Sequence, residues 1–168
     1  MNELDEVWAQ MLDAAIQNAK ASGRGDVGDY LALKRSNDLI RQASVAWLLD
    51  SIIEIAADEN RRHPAITIER EEPHEFHFHN ATMAGYLVRI VNGVRRMTVE
   101  AGWTRTPTHG FMRNAALATA RISHFGMPRA GVDLELRRTG EVPEWHSVDG
   151  EPVTTDTLRS HFSIFLGS

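Results

Sequence analysis

The chain has 168 residues, 42% hydrophobic and 24% charged, with a net charge of −5 and no cysteine. Those totals describe a globular protein rather than a disordered one, long enough to bury about two-thirds of its unfolded surface. They exclude disulfides, thiolate nucleophiles and cysteine-held metals, and they disfavour broad binding to nucleic acid or anionic membrane.

Glu3 to Lys20 reads as an amphipathic helix, since Leu4, Val7, Trp8, Met11, Leu12, Ala15, Ile16 and Ala19 recur at three- and four-residue spacing. Asn2 suits its N-cap and Gly23 its exit. The apolar stripe packs on a core or forms a dimer seam. The acidic N-terminal segment is unlike a signal peptide, which with the missing cysteines leads to the expectation of a cytoplasmic protein. Residues 22–29, rich in glycine and aspartate, read as a loop.

A second helix is expected from Ser36 or Asn37 to Arg61, with a helical turn at Tyr30 to Lys34. Its middle is apolar on most sides, and Asp50, Glu54 and Asp58 form a narrow stripe that suits solvent. Two acids interrupt a run already too short to span a bilayer, so no membrane segment is expected. His63-Pro64 ends the helix.

From Ala65 the apolar period changes to two, and strands are expected near 65–71, 74–79, 84–91, 94–103, 116–125, 131–138 and 143–148. The centre of this half is a hairpin closed by Asn92-Gly93 as a type I′ turn. That loop pairs Val91 with Val94, Ile90 with Arg95, Arg89 with Arg96 and Val88 with Met97. Tyr86, Val88, Ile90, Met97, Val99 and Ala101 then share one face. Thr154 or Thr155 caps a last helix bearing Leu158, Phe162 and Phe165.

Helices, then sequential strands, then one helix is an α+β pattern with an antiparallel sheet of about five to seven strands. No linker or repeat divides it. The chain is expected to be a single domain over 1–168, helical over 1–62, sheet over 63–150 and closed by a helix over 151–168.

Three groups of residues could carry chemistry. Glu75, His77 and His79 share one face of a strand, and two histidines at i and i+2 beside a carboxylate is a spacing that metal sites use. An anion or partner could be met by Arg89, Arg96 and Arg105, because arginine's planar fork suits anions and like charges across a hairpin need a counter-ion. His109, in the polar loop after Trp103, and Trp145 complete the contact candidates. Each group also has a plain structural reading, as solvated charge or as core.

No nucleophile elbow, zinc-protease, phosphate-loop or dinucleotide motif is present, and no cofactor is indicated. The leading expectation is a non-enzymatic protein that binds another protein, with a homo-oligomer, a dimer foremost. A small-ligand or metal-binding protein using the His77/His79 strand is the alternative. Nucleic-acid or anion binding through the arginine-bearing hairpin is third.

Overall fold

The computed structural model describes residues 3–62 and 64–167, so the expected Asn2 cap and His63 lie outside the described residues. The chain divides into two compact units, residues 1–43 and 44–168.

The N-terminal unit is a helical hairpin of α1, Glu3–Ala21, and the first part of α2, Gly25–Arg62. The expected loop over 22–29 is only its first part. Gly23 takes a φ of 75°, its N–H bonds Lys20 O, and the Arg24 N–H bonds Ala19 O. That pair of bonds is a Schellman motif, which turns the chain within three residues. Gly25 and Gly28 are helical, so α2 starts about twelve residues earlier than its apolar pattern suggests. Gly28 carries no side chain where the Lys20 stem lies, 3.2 Å from where a Cβ would be. Across the hairpin, Trp8 Nε1 donates to Asp38 Oδ2 and Arg41 Nη1 to Asp38 Oδ1, each at 2.7 Å. Both oxygens of this buried carboxylate are therefore satisfied.

The second unit is built on the rest of α2, where Val45, Leu48, Leu49, Ile52, Ile55 and Ala56 form a buried stripe and Asp50, Glu54 and Asp58 are exposed. Six antiparallel strands follow in a meander, β1 Thr67–Phe78, β2 Ala81–Asn92, β3 Arg95–Trp103, β4 Ala118–His124, β5 Val132–Arg137 and β6 Glu144–Ser147. Helix α3, Thr155–Leu166, closes the chain. The expected strands at 65–71 and 74–79 are one strand with a bulge between Glu71 and His74. The strand expected near 116–125 is β4, preceded by a single 3-10 turn over Arg113–Ala115.

The central hairpin differs from expectation by its turn. Asn92 pairs with Arg95, leaving Gly93 and Val94 as the loop, and only Gly93 has positive φ, 61°. Glycine first in a two-residue loop is the pattern of a type II′ turn, not I′. Every pair shifts by two, so Arg89 faces Thr98 and Arg96 faces Val91. A shift of two preserves the faces. Val88, Ile90, Met97 and Val99 are accordingly buried on one face, with Ile122, Leu134, Leu136, Leu158, Phe162 and Phe165 in the same unit's core.

The other face curls at one end. Gly85 and Gly102 sit opposite each other so closely that a Cβ on Gly85 would strike the Ala101 carbonyl. Arg121 of β4 reaches β1, which is three places away in the sheet, donating to His77 O at 3.2 Å and lying over the Phe78 ring. Phe76, Phe78, Ala81 and Met83 make a small second core there, with Met112 against it.

Candidate functional site

The curled end gathers part of what the sequence singled out. Trp103 ends β3, and Arg105 folds back so that its guanidinium lies 3.9 Å over the Trp103 ring while Nε donates to Ala84 O at 3.3 Å. The chain then makes a single 3-10 turn, Pro107–His109, which presents His109. Its Nδ1 accepts the Arg105 backbone N–H at 3.1 Å. In the neutral ring the proton therefore sits on Nε2, which faces Glu75 Oε1 at 3.8 Å. Glu75 and His109, an imidazole of fixed tautomer, thus face each other beside Arg105, whose backbone N–H holds the ring. The pair is close enough for charge attraction and too long for a direct hydrogen bond.

The other candidates are dispersed. His77 is exposed on the face of Glu75, with Thr82 Oγ1 at 3.4 Å from Nδ1. β1 ends at Phe78, and His79 turns away with a φ of 55°, so strand alternation does not place it beside His77. Among the described residues no three His, Asp or Glu are grouped as a metal site requires. Arg89 is bonded to Glu69 at 2.8 Å, and Arg96 lies over the exposed Phe125 ring. The expected clash of Arg89 with Arg96 does not arise, because the register separates them. Trp145 takes its core reading: it is 3% exposed and its Nε1 donates to Ser44 O at 3.0 Å.

Two features went unrecognised in the sequence, and a third was read only as the apolar stripe of one helix. Glu135 on β5 is 2% exposed, accepts two bonds from Arg137 at 3.0 and 2.7 Å and one from Asn114 at 3.3 Å. Asn114 and Ala115 both hold positive φ, 53° and 54°, an uncommon pair that turns the chain toward that carboxylate. A second is the pair His124 and His161, buried on facing elements, with Nε2 of one 3.0 Å from Nδ1 of the other. Burial lowers the pKa of His124, and burial together with the neighbouring His124 lowers that of His161 from 6.5 to about 4. Nothing in the spacing of positions 124 and 161 announces this meeting.

The third is the surface of the N-terminal hairpin. Its buried apolar residues are only Leu12, Ile16 and Ala19, whereas Leu4, Val7, Met11, Val27, Tyr30, Leu33 and Leu39 are exposed, Met11 at 62% and Tyr30 at 66%. The alternation that sorts Leu12 from Met11 is legible only once α2 is known to begin at Gly25.

Two clefts also mark the second unit. One of about 480 Å³ lies between the end of α2 and α3, with Ile55 and Phe162 among charged Asp58, Glu59, Arg62 and Arg159. One of about 620 Å³ lies by the β4–β5 loop and includes the paired Arg121 and Asp133. No family model, no curated protein and no solved structure matches the chain. Among the described residues no helix is long and apolar enough to cross a membrane.

Proposed function

We propose that the protein acts by binding protein and that its N-terminal hairpin is the binding element, a second copy of the chain being its first partner. The observation that carries this reading is the exposed apolar surface on both helices of the hairpin, led by Val7, Met11, Tyr30 and Leu33. Large apolar side chains displayed together rather than singly are the mark of an association surface. A surface that meets its own copy about a two-fold axis needs only to complement itself, which makes the dimer the simplest outcome. The sheet edges argue against pairing strand to strand: β1 carries Glu69, Glu71, Glu72 and Pro73 along its length, and β6 has four residues. Native mass measurement on the full chain should give a dimer, and Met11→Glu with Tyr30→Glu should give a folded monomer. A wild-type monomer at every concentration would end the dimer form of the reading.

A second reading rests on Glu75, Arg105 and His109, whose convergence suits a small polar ligand at the curled end. Thermal-shift titration with inorganic phosphate and with Zn²⁺ should then raise the midpoint of the wild type but not of His109→Gln. No shift with either probe removes the support this cluster offers.

A further inference from the structure

We propose that His124 and His161 form an acid-sensitive latch that holds α3 on the sheet, so that acidification frees the helix and uncovers the apolar surface beneath it.

The geometry fixes how many protons the pair can hold. The facing nitrogens are 3.0 Å apart, the rings are within 11° of parallel and their centroids are 5.3 Å apart. That separation is what two imidazoles give when the facing nitrogens point at each other, so the contact is an in-line N–H···N bond rather than a face-to-face stack. One proton lies between the rings. The second proton of the neutral pair belongs on His161 Nε2, because His124 Nδ1 is buried and has no partner among the described residues. A third proton has only His124 Nδ1 to occupy, which puts a charged N–H where no acceptor stands. A fourth sets two N–H groups against each other across the 3.0 Å contact. Each step of charging therefore opposes the closed arrangement.

No bonded carboxylate compensates the charge. Neither imidazole forms an ion pair with a carboxylate among the described residues. The charged groups on surrounding elements are Arg95 of β3, which donates to Phe165 O at the C-terminus of α3, and Asp156 and Arg159 on α3 itself. Asp58, Glu59 and Arg62 of α2 share a cleft with Arg159, and Arg121, Asp133 and Asp149 share one with His124. Asp133 is already bonded to Arg121.

What the latch holds is short and one-sided. α3 is a twelve-residue helix that buries Leu158, His161, Phe162 and Phe165. A helix of that length is marginal without its packing. A group whose pKa is lower in the closed form binds protons more readily when released. The latch is therefore at full strength above pH 6.5 and weakens as the pH falls toward 4.

Hydrogen exchange on the full chain reads this directly. Protection factors of α3 amides should fall about thirtyfold between pH 7.5 and pH 5, the shift from 6.5 to about 4 converted by linkage. Amides of β2 and β3 should stay protected over that range. His161→Gln, which removes one of the two rings and the N–H···N contact between them, should lose less α3 protection at pH 5 than the wild type. Unchanged α3 protection in the wild type would overturn the proposal, as would loss of the sheet together with α3. Equal opening in His161→Gln would assign the effect to other groups and overturn it too. Should that variant fail to fold, imidazole nitrogen NMR on the wild type decides: a pair that titrates near 6.5 with α3 still closed refutes the latch.

Discussion

At the scale of single residues, the positions that matter most are those where an atom has no room to be added. Gly85 and Gly102 face each other at the point where the sheet curls, and a Cβ on Gly102 would lie 2.7 Å from Ala84 O. The obstacles are backbone atoms of a neighbouring strand, which no rotamer change can relieve. Gly85→Ala should therefore cost about 3 kcal/mol or more in urea denaturation, at the upper end of overpacking effects. Gly140→Ala is the control, since nothing lies within 4 Å of its Cβ position and its φ is not in the left-handed range. Gly140→Ala should be neutral or slightly stabilising, because alanine restricts the unfolded chain, and equal losses for the two would mean that collision does not set the cost. The same scale explains Glu135, whose charge is tolerated because Arg137 and Asn114 bond both of its oxygens.

Elements show how much of the fold sequence reasoning can reach. The start of helix α3 was legible to within one residue, Thr154 or Thr155, because the cap is chemical: Thr157 N–H donates to Thr154 Oγ1 at 3.3 Å, and Thr154 N–H to Thr157 Oγ1 at 3.2 Å. Thr154→Ala removes that side-chain acceptor and should cost about 1 kcal/mol in stability, with α3 amides losing most protection. An unchanged urea midpoint would show that packing alone sets the start of the helix. The faces of the central hairpin were legible for the same local reason, since alternation depends only on parity. Its register was not: Asn92-Gly93 and Gly93-Val94 are both two-residue loops, and the choice between them rests on which residues must take positive φ. Glycines misled the reading of α2 in the opposite sense. Three glycines near its start suggest a loop, yet only Gly23 is in the left-handed region. The candidate site followed the same division. Glu75 and His77 share a face by alternation, whereas the meeting of Glu75 with His109 and of His124 with His161 depends on a long loop and a distant helix, which no local pattern encodes.

For the whole molecule, the meaningful contrast is between a sheet unit with an extensive core and a hairpin that buries little apolar surface of its own. A hairpin of that kind is stabilised by whatever covers its exposed side. Binding that occurs only in the folded form adds stability that grows with the concentration of the partner. When the partner is a second copy, the wild-type thermal midpoint must rise with protein concentration. Val7, Met11, Tyr30 and Leu33 are each exposed, so charging two of them leaves the buried Leu12, Ile16 and Ala19 in place. Met11→Glu with Tyr30→Glu should therefore abolish the concentration dependence while leaving the far-UV helical signal intact. At low concentration, where the wild type is dissociated, the two proteins should have midpoints within a few degrees of each other, since exposed substitutions usually change stability by about 0.5 kcal/mol or less. A wild-type midpoint that does not move over a hundredfold range of concentration would assign the exposed face to a different protein partner.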